Sequence, residues 1–214
     1  MKVTDSAKIS VGNLYAKGYA YIDSANADFA NIYGGGVDSA TGSPLVAGPN
    51  GHSYQGAGNN VLIRLKNGTV NGEIYGGGKN KDVSGIKYYI TGGEITNAST
   101  NIYGGGLNDN ASSVELEVKG GTIAGSNIYG GGHGKTNGAN VLGNVKVTVA
   151  NPNDSVAKTV YGGGHAEAET ATAGSTNVIV GASGAEYTNI YGGGHAVNSV
   201  ATINGNTSLN LQSG

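Results

Sequence analysis

Three histidines occupy one recurring place in this chain: His133, His165 and His195 each directly follow a run of three glycines. If successive copies stack, the imidazoles lie about one strand spacing apart, roughly 5 Å, close enough to share a transition metal. The plainer alternative is that repeated copies inherit one corner residue. Earlier copies hold Val37, Lys79 and Leu107 at that place, so the feature is not general. A second series precedes the same glycines: Tyr33, Tyr75, Tyr103, Tyr129, Tyr161 and Tyr191. Such tyrosines form either a structural stack that shields the glycine corner or an exposed stripe that binds flat sugar faces or a partner protein.

Catalytic constellations are hard to assemble from what else is present. The seven Asp, from Asp5 to Asp154, scatter over loops and never recur at one phase, whereas polysaccharide cleavage needs acidic groups converging on one groove. Glu115 and Glu117 share an outward face, but Lys87, Lys119 and Lys146 offer them simple ion pairing. Gly130-Gly131-Gly132-His133-Gly134-Lys135-Thr136 ends like a phosphate-binding loop, yet Tyr129 stands at the first glycine position and no helix former follows. Gly104 to Asp109 resembles calcium-binding nonapeptides only until Leu107, and His165-Ala166-Glu167 lacks the cysteines of a zinc deaminase. The expectation is a non-catalytic protein without cofactor.

The elements that position these residues follow from one string. Ile-Tyr-Gly-Gly-Gly, with Val160 for Ile once, occurs six times, its tyrosines 42, 28, 26, 32 and 30 residues apart. Recurrence at this period marks stacked repeats. Between copies run alternating segments: Val61, Ile63, Leu65; then Ile86, Tyr88, Ile90; Val114, Leu116, Val118; Val145, Val147, Val149; and Val178, Val180. Period-two alternation makes a strand with one buried face. Asn67-Gly68, Gly92-Gly93 and Gly120-Gly121 then supply tight turns, and a second strand carries Val70, Ile95 or Ile123 into the next triple glycine. For the triple glycine itself a turn or corner role is the leading expectation.

One unit cannot cover its own apolar face, but stacked units can. The expected fold is therefore all-β: a parallel β-solenoid of about six coils of 26–32 residues, right-handed by the general preference for such crossovers. A propeller blade needs about 40–50 residues, more than these units contain. The whole chain reads as one repeat domain. Residues 1–59 hold a divergent first coil with a long loop, 60–194 the regular coils, and 195–214 the start of a further one. Lys87, Glu115 and Lys146 fall at one outward position of three successive coils. Loops vary more than strands, and the first, with Pro44, Pro49, His52 and Tyr54, is the best candidate recognition loop.

Composition narrows the partners. Gly contributes 41 of 214 residues, against three Pro and no period of three, which disfavours helices and excludes collagen. Net charge is -2 with a single Arg, Arg64, so no nucleic-acid partner is expected. No apolar run approaches a membrane span, so no membrane insertion is expected either. Cys is absent, which removes disulfides and thiolate zinc sites. The amino terminus lacks a secretion signal, and the sequence reads as an excerpt whose signal lies elsewhere. Self-association through open solenoid ends is a further expectation.

The repeated Ile-Tyr-Gly-Gly-Gly, with Gly120-Gly121-Thr122-Ile123 before Ile128 to Gly132, resembles the Gly-rich repeats of large bacterial cell-surface proteins with adhesin-like β-helices. The likeness covers residues 60–194. It implies an extracellular, surface-anchored rod that acts as a stalk or adhesion surface, with a glycan or a host or cell-surface protein as partner. It carries over no functional residues. A carbohydrate-binding or carbohydrate-cleaving β-helix, including the phage-tail type, is the alternative. Ice binding would want a Thr or Asn array that Thr69, Glu94 and Thr122 supply only in part.

Overall fold

The computed structural model describes residues 1–4, 8–36, 60–80, 82–124, 127–152, 158–181 and 186–212, and among them there are strands and turns but no helix. Seventeen strands join one sheet curled into a half-barrel, and three two-residue strands form a second sheet. Every strand pairing is parallel.

Alternation explains the sheet. In Val61–Leu65, Gly85–Ile95 and Ser113–Ile123, buried side chains alternate with outward ones, as the sequence pattern requires. Equivalent phases then meet across strands: Ile63 pairs with Tyr88, Tyr88 with Leu116, Leu116 with Val147 and Val147 with Val178. All five are fully buried. Each such side chain contributes on the order of 2 kcal/mol of burial, and the β-branched ones lose little rotamer freedom on a pleated surface. A second core ladder runs Leu14, Ile32, Ile74, Ile102, Ile128, Val160 and Ile190.

The expectation of a single divergent unit across residues 1–59 needs correction. Lys2–Thr4 pairs with Tyr19–Asp23, and Ile9–Tyr15 pairs with Ala27–Tyr33, so two levels precede the long loop. Leu14-Tyr15-Ala16-Lys17-Gly18 stands in for the repeated string. Its Ala16 and Gly18 amides donate to the Tyr33 and Gly34 carbonyls at 2.8 and 2.9 Å. Loss of two of three glycines, and a spacing of only 18 residues to Tyr33, concealed this copy.

The glycines divide into two kinds. Gly68, Gly93 and Gly121 adopt φ of 104°, 86° and 93°, the left-handed turn expected of them. No triple glycine does so, which corrects the expectation of a positive-φ turn there, although the chain does bend at each one as a corner would. Their requirement is proximity between neighbouring units. A Cβ on Gly104 would lie 2.4 Å from the Gly130 carbonyl oxygen and 2.6 Å from Val114 Cγ1. The corners pair like strands: Gly104 N donates to Tyr129 O at 2.8 Å and Gly105 N to Gly131 O at 3.0 Å.

Candidate functional site

The tyrosines stack ring on ring. From Tyr15 through Tyr33, Tyr75, Tyr103, Tyr129 and Tyr161 to Tyr191, centroids are 4.7–5.1 Å apart and planes within 14° of parallel. Strand spacing sets this pitch. An exposed stripe is not what forms. Tyr33, Tyr75, Tyr103 and Tyr129 are buried, Tyr161 is partly so, and only Tyr191 is broadly open, at 46%. The chain folds back after Gly106, Gly132 and Gly164, so Leu107 and the short strands His133–Gly134 and His165–Ala166 lie against the rings. Burial pushes the Tyr33 phenol up to about 12 and those of Tyr75, Tyr103 and Tyr129 higher still, with Glu73 adding to the effect at Tyr75.

His133, His165 and His195 pair in register, as their common place after the glycines requires. His133 and His165 stack at 4.7 Å, while His165 and His195 lie 5.1 Å apart with their planes tilted by 32°. Stacked imidazoles present their nitrogens side by side rather than converging on one point. Among the described residues, no three His, Asp or Glu converge as a metal site requires. Instead the rings join a polar network. His133 Nε2 lies 2.8 Å from Glu167 Oε2, and its Nδ1 is 3.3 Å from the Tyr75 hydroxyl. The Tyr75 hydroxyl also donates to Glu73. Asn101 donates to the Tyr103 hydroxyl at 3.2 Å, which lies 3.3 Å from His165 Nδ1. That arrangement suits a neutral His165, whose Nε2 is buried without a partner. Burial, then the neighbouring histidines, lowers its pKa to about 4.

Asp109 is the most perturbed carboxyl. It is 3% exposed, accepts a hydrogen bond from Gly78 N at 2.7 Å and leaves Oδ1 unpartnered. Burial raises its pKa to about 9, against the lowering effect of the Gly78 amide. Asp82 lies near enough to add to the rise, and Asp109 braces the corner between Gly78 and Gly106.

The outward faces carry the remaining chemistry. Lys87, Glu115 and Lys146 lie in register, with ion pairs of 3.8 and 3.3 Å. These groups are partly solvated, so each pair is worth at most about 1 kcal/mol. They border a groove of about 620 Å³ that also takes in Asn60, Ser113 and Asn144. The neighbouring outward ladder is Tyr21, Arg64, Tyr89 and Glu117. Around it lies a half-open concavity of about 420 Å³, lined by Tyr21, Arg64, Lys66, Tyr89 and Thr91. Arg64 Cζ is 5.7 Å from the Tyr89 ring centre, and Lys66 Nζ 5.8 Å from that of Tyr21. Lys66 is paired with Asp23 at 2.9 Å, which raises the pKa of the amine and lowers that of the acid. Arg64 has no ion-pair partner among the described residues.

Sequence reasoning missed the Tyr21–Arg64–Tyr89 set because its members are 43 and 25 residues apart, with the long loop between them. It also missed the Asn ladder before the repeated string, where Asn31 donates to Asn13 and Asn127 to Asn101 at 2.8 and 2.9 Å. The signal was present as Asn two residues before Tyr15, Tyr33, Tyr103, Tyr129 and Tyr191. The loop containing Pro44, Pro49, His52 and Tyr54 lies outside the described residues. No protein-family model matches the chain, and comparison with curated proteins and with solved structures likewise returns no match.

Proposed function

We propose that the chain is a right-handed parallel β-solenoid serving as a non-catalytic structural or adhesive rod in a secreted or surface-anchored bacterial protein. The observation that carries this reading is the register: strand after strand, each residue pairs with its counterpart one unit later, from Val3 opposite Ile22 to Val180 opposite Leu211. Such stacking adds one strand spacing per unit, so seven tyrosine levels give a rod of roughly 30 Å. Length by repetition is what a stalk needs, and a repeated outward face is what a multivalent adhesive surface needs. The extracellular bacterial setting rests on the resemblance of the repeated string to surface-protein repeats. Carbohydrate binding by the outer face is the second reading, favoured by the aromatic and cationic concavity around Arg64.

The test is insertion of one to three extra copies of residues 103–128 between Ile128 and Tyr129, with fluorophores at the two chain ends. A rod predicts an end-to-end increment of about 4.8 Å per copy. Unchanged distance would overturn the rod. Release of new reducing ends from a polysaccharide incubated with the chain would replace the non-catalytic reading with the cleaving one.

A further inference from the structure

We infer that the concavity over Tyr21, Arg64 and Tyr89 binds a carboxylated polysaccharide, with a sugar carboxylate seated on the Arg64 guanidinium. The inference rests on the adhesive half of the reading above and supplies its ligand class and its site.

Charge accounting singles out Arg64. On this outer face Lys66 pairs with Asp23, Lys87 and Lys146 pair with Glu115, and Lys119 pairs with Glu117. Arg64, the only arginine of the chain, is exposed and carries no such partner among the described residues. A guanidinium is the side chain best shaped to take a carboxylate through two parallel hydrogen bonds, and it remains charged at any physiological pH. It is also held in place. Tyr21 precedes it by one level and Tyr89 follows it by one, in strict register, and the Tyr89 ring lies under its cation.

The surroundings suit a sugar. Tyr21, Tyr89, Thr91 and Lys66 line a half-open space of about 420 Å³. The Tyr21 hydroxyl donates to Asp23, that of Tyr89 to Glu115 and that of Thr91 to the Leu65 carbonyl, and each oxygen keeps acceptor capacity for a sugar hydroxyl. That is near the lower end of small-ligand sites, enough for one or two sugar residues. The concavity lies on an open sheet face, so a polymer can run past it in either direction. An acidic peptide fits less well. Tyr19–Asp23, Val61–Leu65 and Gly85–Ile95 each have a paired strand on both sides, which leaves no backbone edge for strand addition.

The probes are a polyuronate, its carboxyl-reduced neutral counterpart, a sulfated polysaccharide and polyglutamate, each titrated against the whole chain. The expected result is saturable, salt-sensitive binding of the polyuronate, weaker for the sulfated polymer and absent for the other two. Arg64→Gln should weaken it at least tenfold with the far-ultraviolet circular dichroism unchanged. Arg64→Lys should fall between, and Tyr21→Ala or Tyr89→Ala should also weaken it, while Lys79→Gln does not. Polyuronate binding that survives Arg64→Gln overturns the site and leaves the adhesive reading standing. Equal binding of the neutral polymer, or preference for the sulfated one or for polyglutamate, overturns the ligand class. Binding to none of the four overturns the inference together with its adhesive premise.

Discussion

Replacing the middle glycine of one repeated string by alanine separates two explanations of why it is glycine. In the string at Tyr129, a Cβ on Gly131 would lie 2.6 Å from Gly164 N, 2.8 Å from Gly164 Cα and 3.1 Å from Gly163 C. In the string at Tyr191, the same Cβ on Gly193 meets nothing within 4 Å, as no further unit lies against it among the described residues. Neither residue has positive φ, so local strain is the same for both. Relieving the Gly131 contact to an ordinary 3.4 Å needs a shift of about 0.8 Å between two backbones. Those backbones are tied by Gly130 N to Tyr161 O, Gly131 N to Gly163 O and His165 N to Gly132 O, at 2.8–3.0 Å. Overpacking typically costs about 1–3 kcal/mol, and each hydrogen bond lost adds about 1. Gly131→Ala should therefore destabilise by roughly 3–5 kcal/mol. Gly193→Ala should be neutral or gain about 0.5 kcal/mol from a stiffer unfolded chain. Urea unfolding followed by circular dichroism and tyrosine fluorescence reads both, with the equally open Gly12→Ala as a second control. Equal cost for Gly131→Ala and Gly193→Ala would refute the proximity argument and return the triple glycine to a purely local role.

Tyr88 buries its hydroxyl in the core ladder without a hydrogen-bond partner, so Tyr88→Phe should stabilise by about 1 kcal/mol in the same assay. Asp109, raised to about 9 in the folded chain against 3.8 as its ordinary value, contributes stability below pH 4 that is lost as pH rises toward 9. Asp109→Asn keeps an acceptor for the Gly78 amide and should raise the urea midpoint at pH 8 more than at pH 4; an equal effect at both would contradict this. His165 acts in the other direction: with its folded pKa lowered to about 4 from 6.5, its contribution is intact above pH 6.5 and is lost as pH falls toward 4. The wild-type midpoint should therefore fall between pH 7 and pH 5 by more than that of His165→Gln, and parallel pH profiles would sink the idea.

Much of the sheet was legible because a side-chain period of two leaves little freedom. Once Val61, Ile63 and Leu65 face inward, Leu62 and Arg64 must face out, and a repeated string fixes which residues of the next unit they meet. The charged triplet of Lys87, Glu115 and Lys146 and the turns at Gly68, Gly93 and Gly121 followed from counting alone. The role of the triple glycine did not. Positive φ and close approach both exclude Cβ, and only the position of the neighbouring unit distinguishes them. A structural stack of the tyrosines was one of the two expected arrangements, but what covers it was not legible, since that depends on the chain folding back so that Leu107 and His133 lie over the rings. The Arg64 concavity needs Tyr21 to be placed across a loop of uncertain phase, and its lack of an ion partner emerges only when every nearby carboxylate has found another lysine.

The one-unit parallel register can be tested directly because the chain contains no cysteine, so every introduced thiol pair is unambiguous. Outward residues opposite one another on neighbouring strands sit about 4.8 Å apart, within reach of a disulfide, while residues two units apart sit at about 10 Å, beyond it. Under mild oxidation Lys87→Cys with Glu115→Cys, and Glu115→Cys with Lys146→Cys, should each close within one chain, whereas Lys87→Cys with Lys146→Cys should stay reduced. Ready closure of the last pair, or failure of the first two in a folded chain, would contradict the stacked arrangement on which the rod depends.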